Sequence, residues 1–135
     1  NMDKLNKTQI DKCIEEHKLW LTSNGSQGTK ANFSSKLINI ANFKEANLSD
    51  SNFSNSILKI IEFVDANLQN VNFENAELTK VDFHNANLTG ANFKSTEFIK
   101  VHINEEMLSQ LNGLTEEQKK GIITSYRKFM WKSIF

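Results

Sequence analysis

Residues 31–105 read in fives: ANFSS KLINI ANFKE ANLSD SNFSN SILKI IEFVD ANLQN VNFEN AELTK VDFHN ANLTG ANFKS TEFIK VHINE. Fifteen units follow one another without an insertion. The third position is always large and apolar: Phe33, Ile38, Phe43, Leu48, Phe53, Leu58, Phe63, Leu68, Phe73, Leu78, Phe83, Leu88, Phe93, Phe98, Ile103. The first is small or β-branched except at Lys36, and the second is mostly Asn or an acid. A period of five fits neither the helical 3.6 nor the strand's 2. It fits a coil with a corner every five residues, two apolar positions of each unit pointing inward and three polar ones outward. Such a coil buries little alone, so the coils must stack into a continuous core.

These units resemble the pentapeptide-repeat family, whose motif is small-(Asp/Asn)-(Leu/Phe)-x-x. The resemblance covers 75 of 135 residues. It implies an all-β solenoid, a right-handed four-sided parallel β-helix of about four coils with four units per coil. Positions twenty apart should then stack. Phe33, Phe53, Phe73 and Phe93 share one column; Phe43, Phe63, Phe83 and Ile103 share the opposite one. Leu48, Leu68 and Leu88 form a third column, and Ile38, Leu58, Leu78 and Phe98 a fourth. Large rings on two walls and leucines between them would fill a square interior. The absence of proline suits a fold that uses nearly every backbone N–H between coils. Outward asparagines such as Asn32, Asn52, Asn72 and Asn92 should line up in hydrogen-bonded columns. Lys36 should make the first coil irregular and send its head to water.

Three segments are expected: a capping helix and linker over 2–30, the β-helix over 31–105, and a helical cap over 106–135. Asn6 and Gln9 form a capping-box signature with Leu5 and Ile10 as staple. Ile10, Cys13, Ile14, His17, Trp20 and Leu21 line one face of a helix to about Thr22. The Gly-Ser-Gln-Gly link lacks the spacing of a phosphate loop and reads as a connector. Glu105–Asn112 reads as a short helix ending at Gly113. Thr115 and Gln118 repeat the cap signature and start a longer helix to about Ser133. The apolar side chains of that helix either pack on the last coil or, with Ile123, Tyr126, Met130 and Ile134, form a homodimer seam, as C-terminal helices do in some members of the family.

The charge balances at 16 basic against 16 acidic residues, so no global field favours nucleic acid or anionic lipid. The single cysteine, Cys13, and the lack of any signal-length or membrane-spanning apolar run lead us to expect a cytoplasmic protein. The resemblance and the Lys/Asn/Ile-rich composition point to a bacterial source. No grouping reads as catalytic, metal-binding or cofactor-binding. His84 and His102 fall one coil apart and read as surface histidines, and two histidines without a third ligand make a poor metal site. Cys13 and His17 lie one helical turn apart on a face expected to be buried, which suits a core pair better than a thiolate nucleophile.

Surface features are therefore the candidates. One wall presents Glu45, Glu62, Asp65, Asp82 and Glu105 against only Lys44. Another presents Leu37, Ile40, Ile57 and Ile60 in its first two coils. Contiguous exposed apolar area marks contact, either with a terminal helix of this chain or with another protein. The expected function is a non-catalytic scaffold for protein–protein interaction, its partner not legible. The alternative is DNA-mimicking modulation of DNA gyrase, the best-known activity of the family. About four coils at ~4.8 Å equal only about five base pairs of duplex, so a monomer is a short mimic.

Overall fold

The computed structural model describes residues 2–125. From Ser35 to Lys100 every fifth residue has a positive φ, between 54° and 75° with Gly90 included. That left-handed step turns the chain at the end of each unit and is strained for most side chains. It explains the Asn, Asp and Ser found at this position in many units. Between corners the segments pair in parallel with residues twenty apart. β2 (Lys36–Asn42) pairs with β3 (Ile57–Glu62) as Leu37↔Ile57, and β3 with β4 (Glu77–Asp82) as Ile57↔Glu77. β5 (Glu97–Ile99) and β6 (Val101–His102) both pair with β4. Single parallel bridges continue the same register at Asn32↔Asn52↔Asn72↔Asn92 and Asn47↔Asn67↔Asn87. The chain is a parallel β-helix with twenty residues per coil.

The interior follows the predicted columns. Phe33, Phe53, Phe73 and Phe93 stack with ring centroids 4.7, 5.3 and 5.1 Å apart. Phe43, Phe63 and Phe83 stack at 5.1 and 5.3 Å. The two columns meet edge to face, Phe63 to Phe73 at 6.1 Å for example. Both geometries suit the ring quadrupole. Leu48, Leu58, Leu68, Leu78 and Leu88 are buried beside them, and Phe98 is buried near the far end. Each fully buried large side chain contributes about 1.5–3 kcal/mol.

The asparagines do something other than form ladders. Asn32, Asn42, Asn47, Asn52, Asn67, Asn72, Asn87 and Asn92 each accept, through Oδ1, the backbone N–H two residues on. Such a local bond closes the turn. Among the described residues one side-chain ladder bond forms in the predicted column: Asn92 Nδ2 donates at 3.1 Å to Asn72 Oδ1, which also accepts the Glu74 N–H. Lys36 also differs from expectation. It begins β2 without irregularity, and its Nζ reaches the Asp3 carboxylate at 3.2 Å.

Two terminal segments meet the sheet. β1 (Asp3–Lys4) pairs with β2 as Asp3↔Lys36 and Lys4↔Leu37. α1 (Lys7–Thr22) starts with the reciprocal Asn6–Gln9 capping box. It buries Ile10 and His17 and packs Cys13 and Ile14 against the core. Gly28 (φ +72°) lets the link pass over α1, because a Cβ there would strike the backbone of Glu16 and Trp20. At the other end a 3-10 helix spans Glu105–Gln110. α2 (Glu116–Lys119) has the Thr115–Gln118 capping box. It does not continue to Ser133 as expected. The chain leaves the helix at Lys120, and Ile122–Ile123 forms β7, paired with β6 as Val101↔Ile122 and His102↔Ile123. The backbone N–H groups of Val101 and Ile103 would otherwise end the sheet unpaired; they donate to Gly121 and Ile123 at 2.9 and 3.1 Å. Satisfying those groups with β-branched residues outweighs further helix.

Candidate interaction surface

The corner geometry decides what each wall displays. Leu37 and Ile57 stand opposite one another in the β2–β3 ladder, followed in the same column by Glu77 and Glu97. Ile40 and Ile60 occupy the corner positions, with φ of 64° and 57°. A β-branched side chain in that conformation costs about 1–2 kcal/mol, and these are the only two such corners among the described residues. Ile40 is 55% exposed, whereas Leu37, Ile57 and Ile60 are half-buried. The four predicted residues thus fall on one face of adjacent coils. Ile99, 41% exposed, adds an apolar side chain farther along the sheet, in register with Thr79. Ile40 also borders an open crevice of about 630 Å³ shared with Lys7, Ile10 and Asp11 of α1.

The acidic wall presents less charge than its sequence suggests. Asp82 is buried, and its Oδ1 accepts the His84 backbone N–H at 2.9 Å and meets His84 Nδ1 at 2.5 Å. Burial pushes the Glu62 carboxyl above its ordinary range; Lys44 opposes this, and Asp82 and Asp65 add to it. Glu45, Asp65 and Glu105 remain exposed.

His84 and His102 are buried, correcting their reading as surface residues. The short bond to Asp82 draws the His84 ring against the wall, where it lies 6.4 Å from the His102 ring. His102 itself stands in register with Asp82. Among the described residues no three such side chains are grouped so as to hold a metal ion.

Cys13 and His17 resolve as structure. His17 is fully buried, its Nε2 donating to the Ser49 carbonyl at 2.8 Å while Nδ1 accepts the Ala31 N–H at 2.9 Å. This pair of bonds requires the neutral ring, and burial lowers its pKa accordingly. With both nitrogens engaged by backbone, His17 has no lone pair left to activate Cys13. Burial also raises the thiol pKa, against thiolate formation. Nothing in the sequence signalled that His17 would tie α1 to two points of the first coil. Of the proposed dimer seam, Ile123 lies in β7 rather than a helix. Tyr126, Met130 and Ile134 fall outside the described residues.

A solenoid of five-residue units with a left-handed corner in each defines a class of repeat protein. The family model for the pentapeptide repeat region matches residues 29–112. The chain belongs to the pentapeptide repeat family. Among curated proteins none matches the chain. It is similar to three solved pentapeptide repeat proteins. One, from the thylakoid lumen of Arabidopsis thaliana, is 23% identical over 68% of this chain and 57% of its own, with a TM-score of 0.39. A protein from Nostoc is 15% identical over 90% of this chain and 97% of its own, with a TM-score of 0.36. A third, from Cyanothece, is 23% identical over 60% of this chain and 65% of its own, with a TM-score of 0.27. The chain thus spans little more than half the length of the Arabidopsis protein. No helix among the described residues is long and apolar enough to cross a membrane.

Proposed function

We propose that this chain is a non-catalytic scaffold that presents the wall bearing Leu37, Ile40, Ile57 and Ile60 to a protein partner. Its β-helix is right-handed and four-sided, with about four coils between helical caps. Four sides are supported by twenty residues per coil with a corner every five. The interaction reading rests on one observation: apolar, β-branched residues are held at the strained outward corners of the first two coils, where other coils carry polar residues. A residue that served only the fold would be replaced there by Asn or Gly without loss.

The test is the double substitution Leu37→Glu with Ile57→Glu. Both side chains point outward, so the variant should fold with an unchanged thermal midpoint. Affinity capture from the source organism should then retain a specific protein on the wild type and lose it on the variant. A drop in stability comparable to a core substitution would mean that the patch serves internal packing. An identical set of retained proteins would remove this wall from the interaction.

A further inference from the structure

Asparagine is followed by glycine twice in the chain, at Asn24–Gly25 and Asn112–Gly113. Such a pair is chemically special, because glycine has no side chain to keep its amide nitrogen away from the preceding carboxamide carbon. The two pairs stand in opposite situations. Asn24–Gly25 follows the end of α1 and is held on both sides. The Gly25 N–H donates to the Trp20 carbonyl at 2.8 Å, and the Ser23 hydroxyl accepts the Gln27 N–H at 2.8 Å. Asn112–Gly113 links the 3-10 helix to α2, and both residues are exposed beside an open crevice of about 1000 Å³. The Gly113 N–H makes no hydrogen bond among the described residues, and a Cβ there would meet no atom within 4 Å.

The asparagines at the coil corners are held like Asn24. After Asn55, Asn70, Asn75 and Asn85 the next amide donates to the carbonyl three residues before it, at 3.3, 3.2, 2.9 and 2.9 Å. Of these amides only that of Gly113 is free to react.

We propose that Asn112–Gly113 is a site of spontaneous deamidation and isomerisation through which the C-terminal cap ages. The Gly113 nitrogen gives its proton to hydroxide and attacks Asn112 Cγ. The N–Cγ bond forms, the Cγ–Nδ2 bond breaks, and Nδ2 takes a proton from water and leaves as ammonia. Water then opens the five-membered imide. Breaking the new N–Cγ bond yields aspartate. Breaking the original peptide bond yields isoaspartate, whose main chain runs through Cβ and Cγ and is one carbon longer. Water and hydroxide are the only reagents.

The longer link bears on a closely fitted segment. Beyond it Gln118 Nε2 donates to the Phe93 and Thr96 carbonyls, and the Gly121 and Ile123 carbonyls accept the Val101 and Ile103 N–H groups. Gly121 lies so near the Phe98 carbonyl that a Cβ could not fit. An extra carbon and a carboxylate at residue 112 shift this segment on the last coil. The site is independent of the Leu37/Ile57 wall.

The experiment incubates the full chain at mildly alkaline pH, folded and in concentrated urea, and follows both pairs by peptide mapping with mass spectrometry. In the folded chain Asn112 should convert to a mixture of Asp and isoaspartate at a rate proportional to hydroxide. Asn24 should react about tenfold more slowly, because its neighbouring amide must first leave a hydrogen bond by local opening. In urea the two rates should converge. Aged protein should exchange the Val101 and Ile103 amide hydrogens faster than fresh protein. Asn112→Gln, aged in parallel, should keep the fresh pattern, since its longer side chain closes a ring far more slowly. Freshly prepared Asn112→Asp, which adds the charge without the extra carbon, should keep it too. Folded-state reaction at Asn24 as fast as at Asn112, or a difference that persists in urea, overturns the assignment of the site. Unchanged exchange in the aged protein, or equal acceleration in either variant, overturns the ageing of the cap.

Discussion

The middle of this molecule and its two ends meet the same demand by different means. In the middle, each coil finds its hydrogen-bond partners and aromatic neighbours in the coils above and below, so one rule repeated every twenty residues serves backbone and rings alike. At the ends that rule stops, and individual side chains take over. His17 covers one donor and one acceptor at the first coil. At the last coil Gln118 Nε2 donates to the carbonyls of Phe93 and Thr96, both at 2.9 Å. Repetition makes the interior robust, but each end depends on a few residues with no duplicate.

Breaking the middle should have the largest effect. Phe73→Ala removes a ring stacked on two others and touching two more edge-on. It should cost about 3–5 kcal/mol and lower the whole urea transition. If the change proved confined to one coil, cooperativity through the column would be disproved. The end residues should cost less. His17→Ala unpairs the Ser49 carbonyl and the Ala31 N–H, and Gln118→Ala unpairs the Thr96 carbonyl and the Thr115 N–H while Phe93 keeps its bond from Thr96; each should cost about 1–3 kcal/mol. Hydrogen exchange should speed up only in the adjoining coil; uniform acceleration would erase the distinction between end and middle.

Acid should separate the ends further. His17 has a lowered folded pKa, so the unfolded chain takes up its proton first. The stability contributed by this group is full above its ordinary value of 6.5 and falls as pH drops below it. Trp20, stacked on His17 at 5.5 Å, should report the release of α1 by fluorescence, and His17→Ala should abolish that titration. The smallest effect is expected back in the middle. The buried Ser51 hydroxyl makes no hydrogen bond among the described residues, where equivalent units carry Ala31, Val71 and Ala91. Ser51→Ala should stabilise by about 0.5–1 kcal/mol in thermal unfolding; destabilisation would show that the hydroxyl has a role.

What the sequence disclosed follows the same division. The columns of Phe and Leu, the register of twenty and the helix after Asn6 were legible because each is written several times or carries a complete cap signature. The strand at Ile122–Ile123 was not. Its apolar run with a preceding capping box has helical character locally, and only the unpaired end of a sheet 21 residues back makes it a strand. The burial of Asp82 and His84 was hidden for a related reason, since an outward position says nothing of a side chain folding back onto its own wall. The Leu37, Ile40, Ile57 and Ile60 face was legible as a group, but the backbone strain beneath two of its members emerged only from the dihedral angles.

The pairing of β7 carries one more consequence. Val101 faces Ile122, an offset of 21 where the preceding ladders keep 20. Because strand side chains alternate faces, a one-residue slip puts any sequence continuing the five-residue pattern out of phase with the tube beneath it. Growth by simple duplication of units would fail past this point, so the slip works as a full stop in an otherwise endlessly extendable text.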